Sequence, residues 1–242
     1  MADTLIWITG GSSGLGAALI RTAPYDGAHI VTISRSPGVE AAEHVPADLA
    51  DPASWPAVEN HLLARMGEFS GSRVVFVHNA GTLDPIGFAG EVASRRYRDN
   101  VLLNSAAGQV IGHAFLKAVA AVHFTGEALL VMISSGAASS AYPGWSAYCA
   151  GKAALDQWVR AVGEEQRTRG RVTVLSIAPG IVATPMQAAI RAADQADFPT
   201  VDRFHELHRQ GELRDPDDAA RAVWDVIGRG LPAGTVTDVR GS

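Results

Sequence analysis

The chain has 242 residues, 47% of them hydrophobic, and one cysteine, Cys149. That is ample apolar material for a core, in a size range that an α/β fold often fills as one unit; the lone cysteine excludes an intrachain disulfide and points to a reducing, cytoplasmic setting. A net charge of −5 with both signs interspersed argues against nucleic acid or an anionic membrane as a partner, and no apolar run reaches bilayer-spanning length.

Leu5-Ile6-Trp7-Ile8-Thr9 is an apolar, β-favouring run that stops at Gly10-Gly11-Ser12-Ser13-Gly14-Leu15-Gly16, and a helical pattern follows, ending by Pro24. Strand, glycine turn and helix in that order form the setting in which a glycine motif binds a dinucleotide. Gly10 permits the tight turn, Gly14 lets the backbone approach a pyrophosphate, and Gly16 lets the helix lie close to the strand. The helix N-terminus then offers free N–H groups and a positive dipole end to phosphate.

The stretch from His29 to Arg35 reads as a second strand. An acid at its end would bind the ribose hydroxyls of NAD, but this chain carries Ser34-Arg35 and no acid before Glu40. A carboxylate repels a 2′-phosphate, whereas a hydroxyl and a guanidinium attract it. The pair therefore predicts that NADP(H) is preferred, with NAD(H) possible. The linker from Pro37 to Glu43 is too short for a substantial helix, and Val45-Pro46-Ala47-Asp48-Leu49 reads as a short third strand. Asp48 at its C-terminal end either reaches an adenine amino group or caps the following turn. Ala53 to Met66 forms an amphipathic helix with Trp55, Val58, Leu62 and Leu63 on its apolar side.

Arg73 to His78 is a near-continuous apolar strand, as expected where a parallel sheet is covered on both faces. It ends in Asn79-Ala80-Gly81, small enough for backbone contact with a cofactor, and an irregular lip follows through Asp84, Pro85 and Gly87. A long helical pattern covers roughly residues 94–122 and carries Asn100 and Asn104. Asparagine is poor in a helix interior, so at least one of the two is expected to hydrogen-bond something specific. Glu127 to Ile133 is the fifth strand and delivers Ser134-Ser135-Gly136 at its C-terminal end.

The next helix opens at Ser146 and continues to about Arg169, carrying Tyr148 and Lys152 one turn apart on a shared face. An ammonium so placed favours the phenolate and lowers the tyrosine pKa from its ordinary value of about 10, which suits a general acid–base. Ser135, thirteen residues upstream of Tyr148, offers a hydroxyl to hold a substrate oxygen against the phenol. Arg171 to Ile177 forms a sixth strand and runs into Ala178-Pro179-Gly180-Ile181-Val182-Ala183-Thr184-Pro185. Met186 to Leu213 has a weak, polar pattern and reads as a mobile lid, with His205 and His208 on an exposed helical turn rather than at a metal site. Asp215-Pro216-Asp217-Asp218 starts a helix that reaches about Gly228, and Gly234 to Arg240 closes the chain as a last strand.

This alternation predicts a single α/β domain, a Rossmann-type doubly wound parallel sheet of about seven strands with helices on both faces. The glycine loop, Asn79-Ala80-Gly81, Ser135 and Pro179-Gly180 each follow a strand, so they gather at the carboxyl edge, where such sheets bind ligands.

These motifs, taken together, resemble the short-chain dehydrogenase/reductase family over nearly the whole chain. Thr9 to Gly16 resembles the family's TGxxxGxG coenzyme loop, and Asn79-Ala80-Gly81 its NNAG motif, with His78 in place of the first asparagine. Ser135, Tyr148 and Lys152 match the catalytic serine and the YxxxK pair; Asn104 fits the fourth catalytic residue by helix register, with Asn100 one turn earlier as the fallback. Pro179-Gly180 with Thr184 resembles the segment that holds the nicotinamide carboxamide. The resemblance therefore implies a coenzyme site of Gly10, Ser12, Ser13, Gly14, Leu15, Gly16, Ser34, Arg35, Asp48, Leu49, Asn79, Ala80, Gly81, Tyr148, Lys152, Pro179, Gly180, Val182 and Thr184. Within the family, the short second crossover and the C-terminal strand look most like the sepiapterin reductase and benzil reductase branch.

The implied activity is hydride transfer from NADPH to a small-molecule carbonyl, with Tyr148 protonating the developing alkoxide. Lys152 would bind the nicotinamide ribose, Ser135 would orient the carbonyl, and Asn104 would hold a water linking Lys152 to solvent. Tyr142, Trp145, Met186 and Phe198 suggest an apolar or aromatic substrate, and a homodimer is the family-level expectation. The alternatives are an NAD-dependent alcohol dehydrogenase working oxidatively and a non-catalytic nucleotide-binding sensor of the same fold.

Overall fold

The computed structural model describes residues 2–39 and 42–240, so Glu40 and part of the short linker lie outside the described residues. The strands are β1 Thr4–Thr9, β2 His29–Ser34, β3 Glu43–Pro46, β4 Arg73–His78, β5 Glu127–Ile133, β6 Thr173–Ala178 and β7 Thr235–Asp238. The helices are α1 Gly14–Arg21, α2 Trp55–Glu68, α3 Ser94–Val101, α4 Ala107–Ala121, α5 Ser146–Arg169, α6 Pro185–Arg191, α7 Val201–Arg209 and α8 Pro216–Ile227. All seven strands are parallel in one sheet of order β3-β2-β1-β4-β5-β6-β7. The expected Rossmann-type doubly wound fold is what the chain adopts. Strand order reverses between β1 and β4, the switch point outside which open sheets bind ligands.

The period-2 alternation of the strands builds two core layers. Leu5, Trp7, Val74, Phe76, Leu130, Met132 and Val174 face the layer that contains residues of α2, α4 and α5. Ile6, Ile8, Val75, Val77, Leu129, Val131, Leu175 and Ile177 face the layer of α1 and α8. The Trp224 indole N–H donates to the Leu19 carbonyl at 3.1 Å and ties α8 to α1. Helix α8 starts as its sequence dictates, the Asp215 carboxylate accepting from the N–H groups of Asp217 and Asp218.

Four elements depart from the sequence-based expectation. Strand β3 lies two residues earlier, because Asp48 bends the chain by accepting from the Ala50 N–H at 3.1 Å. Helix α2 begins at Trp55 after a 3-10 turn, Pro52–Ser54, and buries Val58, Leu62 and Met66 while Leu63 faces solvent. The helix over 94–122 is not continuous: a π-helical segment, Leu102–Ala106, joins α3 to α4 and carries Asn104. Such wide turns insert one extra residue and turn a side chain out of register. The stretch read as an irregular lid contains α6 and α7, ordered by the burial of Ile190, Phe198, Val201 and Phe204.

Where α5 crosses the β7 loop the two backbones nearly touch, and a Cβ on Gly163 would overlap Gly234. Helix propensity alone favours alanine over glycine by about 1 kcal/mol. Overpacking against rigid backbone costs about 1–3 kcal/mol and wins. Gly163→Ala is therefore expected to lower unfolding stability in urea, whereas Gly67→Ala in α2, with open space around it, is expected to raise it by up to about 1 kcal/mol.

Candidate active site

The carboxyl edge of the sheet is knotted by one hydroxyl. Thr9 Oγ1, at the end of β1, accepts from the N–H groups of Asn79 and Ala80, both at 3.0 Å. With those bonds accepted, its own proton points to His78 Nδ1, 3.2 Å away and completely buried. The Asn79 amide donates back to the carbonyls of Thr9 and Gly10. The glycine loop and the Asn79-Ala80-Gly81 segment are thereby fixed to each other.

The loop itself fits a dinucleotide. Gly10 and Gly14 have φ of +67° and +52°, a region glycine enters without strain. A Cβ on Gly16 would overlap the Gly10 carbonyl oxygen, and one on Gly14 would lie 3.3 Å from Thr184. Ser13 precedes α1 in an extended conformation and makes no side-chain cap, which leaves the first-turn N–H groups open to an anion. Leu15 and Val182 anchor their loops in the core, and Pro179 is buried beside an exposed Gly180 with φ +80°. Gly14, expected at the pyrophosphate, and Thr184, expected near the nicotinamide carboxamide, are thus brought together.

At the end of β2, Arg35 is exposed and makes no ion pair among the described residues. The buried Ser34 hydroxyl is spent on the Ser36 carbonyl at 2.8 Å, which leaves the guanidinium as the free donor. Gly38 lies directly on Ser12, a position at which a Cβ would meet Ser12 Cα at 2.5 Å. Asp48 is exposed and acts as a turn cap, and Leu49 is buried in the core.

Tyr148 and Lys152 rise from the first turns of α5, 8% and 3% exposed. Gly151 between them lets α5 press against Asn104, where a Cβ would meet Asn104 Cβ at 2.8 Å. Asn104 and Asn100 together clasp the lip after β4. The Asn104 amide accepts from the Thr82 N–H at 2.9 Å and donates to the Thr82 carbonyl and to Asn100 Oδ1, both at 2.7 Å; Asn100 donates to the Asp84 carbonyl at 2.8 Å. A Cβ on Gly81 would lie 2.9 Å from Asn104 Oδ1 and 3.6 Å from Lys152 Nζ. The bare glycine lets both polar groups face one point. Lys152 Nζ donates to the Ile133 carbonyl at 2.8 Å. Ser135 caps the short turn after β5, its hydroxyl accepting from the Ala137 N–H at 3.2 Å, and it is near enough to the Tyr148 phenol to lower its pKa.

The expected lowering of the tyrosine pKa is not what this site produces. Burial pushes the Tyr148 phenol above its ordinary value, and Ser135 only partly offsets it. Lys152 Nζ lies 5.7 Å from the ring centroid and is turned toward the Ile133 carbonyl. Burial also lowers Lys152 itself to about 8. His78 is pushed down to about 3, first by burial and then by the Lys152 charge.

Beside Tyr148 an aromatic wall joins the active-site helix to the α6–α7 segment. Trp145 stacks on Phe198 at 4.4 Å between centroids, and Tyr142 and Phe204 lie against Trp145. Gly144, at φ +87°, admits the Asp197 carbonyl where a Cβ would overlap it. Met186 remains partly exposed, and His205 and His208 lie on the exposed side of α7.

A parallel doubly wound sheet with this loop and these side chains at its switch point is the architecture of a nucleotide-dependent oxidoreductase. The family model for short chain dehydrogenases matches residues 4–195. A benzil reductase of Bacillus subtilis that forms (S)-benzoin is 32% identical over 237 residues, which cover 96% of this chain and 97% of the relative. A short chain dehydrogenase/reductase structure from Saccharomyces cerevisiae superposes with a TM-score of 0.83 at 21% identity, covering 98% and 96% of the two chains. An actinorhodin polyketide ketoreductase variant with NADPH gives 0.79 at 25% identity over 99% and 97%. The chain belongs to the short-chain dehydrogenase/reductase family. It is a pyridine-nucleotide-dependent oxidoreductase acting on carbonyl or alcohol groups.

The residues that sequence reasoning passed over are those that hold others. Thr9 appeared only as the end of a strand run and the first letter of a motif, and Gly38 was not singled out. The substitution of histidine for asparagine at 78 was the available signal that this corner is built differently. His78 yields a prediction. Its folded pKa, about 3, lies below the ordinary 6.5, so between those values the unfolded chain binds more protons. Stability is then full above pH 6.5 and falls as pH drops toward 3, by up to about 1.4 kcal/mol per pH unit for one proton. Chemical denaturation across pH 4–7 is expected to show a shallower acid loss in His78→Asn than in the parent protein.

Proposed function

We propose that this protein is an NADPH-dependent reductase of small, apolar or aromatic carbonyl compounds, with Tyr148 as the proton donor. The observation that carries the reading is the buried Tyr148 phenol with the buried Lys152 one helical turn along, Nζ 5.7 Å from its ring, and with Ser135 near enough to lower its pKa. Bound NADPH supplies the hydride. Ser135 orients the substrate oxygen toward Tyr148, and the phenol gives its proton to the oxygen as negative charge develops there. The Lys152 ammonium stabilises the resulting phenolate and holds the ribose. Asn104, whose Oδ1 faces the same point as Lys152 Nζ across Gly81, orders the path by which the proton is replaced.

The raised tyrosine pKa supports the reductive direction. A phenol kept protonated by burial is ready to act as an acid, whereas alcohol oxidation needs the phenolate. Arg35, exposed and unpaired among the described residues, and the lack of an acid at the end of β2 in the sequence support NADPH over NADH. The rings of Trp145, Phe198 and Phe204 beside Tyr148, and the similarity to a benzil reductase, support an aryl carbonyl substrate. The partly exposed Val101 and Val110 on α3 and α4 are consistent with association into a homodimer.

Three outcomes test the reading. Tyr148→Phe is expected to lower kcat with NADPH and an aryl ketone by about 10²–10⁴ while NADPH still binds by fluorescence titration. Arg35→Asp is expected to weaken NADPH binding about tenfold to a hundredfold, the scale of a charge-assisted hydrogen bond, and to spare NADH. In the parent protein, carbonyl reduction should dominate at neutral pH and alcohol oxidation should rise with alkaline pH, since deprotonating a buried phenol requires it. Retained turnover in Tyr148→Phe would contradict the scheme.

A further inference from the structure

Among the described residues, one ammonium and one carboxylate are buried, and they stand one turn apart on α5: Lys152 at 3% and Asp156 at 8% exposure. Each is pinned to a neighbouring strand. Lys152 Nζ donates to the Ile133 carbonyl at the end of β5 at 2.8 Å, and Asp156 Oδ1 accepts from Ser176 Oγ on β6 at 2.6 Å. Ser176 pairs with Met132, next to Ile133, across the β5–β6 ladder. The two charges therefore sit over adjacent strands with their separation fixed by sheet and helix, close enough to interact but without a direct ion pair.

Burying a lone ammonium is costly unless an opposite charge accompanies it. The groups around Lys152 leave one candidate. His78 approaches from β4 and is neutral, Tyr148 on α5 is a protonated phenol, and Asn104 of the π segment is uncharged. The proposed catalysis uses none of the charge on Asp156, and a carboxylate whose only role is to receive Ser176 could be replaced by an amide at little cost.

We infer that Asp156 is a positioning residue that keeps Lys152 cationic during turnover, with Ser176 holding the carboxylate at its working distance. The part played in turnover rests on the catalytic reading of Lys152 given above; the electrostatic part does not. Burial pulls Lys152 down to about 8, and Asp156 is the group that pushes it back up. Without that charge, a growing fraction of Lys152 would lose its proton near neutrality. The alkaline limit of carbonyl reduction would then move to lower pH.

The sequence holds two lysines, Lys117 and Lys152, so Lys152 can be titrated directly in the full-length protein. With ¹³Cε-labelled lysine, two resonances are followed by NMR, and Lys117→Arg assigns them. Asp156→Asn, which keeps an acceptor for Ser176, is expected to lower the Lys152 midpoint by roughly one pH unit, the scale of one nearby charge. Ser176→Ala should move it the same way by less. The alkaline limb of kcat should follow both. An unchanged midpoint in folded Asp156→Asn or Ser176→Ala protein would overturn the inference. A midpoint that moves while the activity profile stays fixed would confirm the electrostatic coupling and overturn the catalytic reading of Lys152.

Discussion

A cation held in a dry place is the constraint around which the carboxyl edge is built. Lys152 can be buried there because its Nζ finds the Ile133 carbonyl and because a carboxylate lies one turn away on the same helix. Burial first, and then the Lys152 charge, hold the neighbouring His78 in the neutral form. Neutral His78 accepts the Thr9 proton, which leaves Thr9 free to take the two N–H groups that shape the Asn79-Ala80-Gly81 loop. The candidate catalytic pair and the coenzyme loop are therefore coupled through Lys152, His78 and Thr9.

That coupling also explains why close backbone contact recurs here. Gly81 removes a side chain from between Asn104 and Lys152, Gly151 lets α5 meet the π segment, and Gly14 brings the glycine loop to Thr184. The π segment supplies the extra residue that turns Asn104 toward Thr82. Each of these is a local departure from regular packing, and all lie at the carboxyl edge of the sheet.

The strands were legible because parallel sheet covered on both faces demands near-continuous apolar runs, and Leu5–Thr9, Arg73–His78 and Glu127–Ile133 have them. The gathering of Ser135, Tyr148, Lys152 and Asn104 followed from topology, since each lies near the carboxyl end of a strand or on a helix facing that edge. What could not be read were features that depend on long-range partners. The π turn exists because Asn104 bonds Thr82 across 22 positions of chain, and α6 and α7 are ordered by rings contributed from Tyr142 and Trp145. The tyrosine pKa was misjudged for the same reason. The one-turn spacing to Lys152 is local, but the burial that raises the phenol comes from long-range packing, in the cluster where Trp145 lies edge-on to the Tyr148 ring at 5.8 Å.

In the proposed reaction this edge moves a hydride from NADPH to a carbonyl carbon while Tyr148 supplies the proton. The most direct test uses NADPH deuterated at the transferable C4 position, an aryl 1,2-diketone and the purified protein in ordinary water. The account predicts an alcohol product with deuterium at its carbinol carbon, in stoichiometric amount with the NADPH consumed. An alcohol without deuterium at that carbon, or tight NADPH binding with no product across a panel of carbonyl compounds, would contradict it.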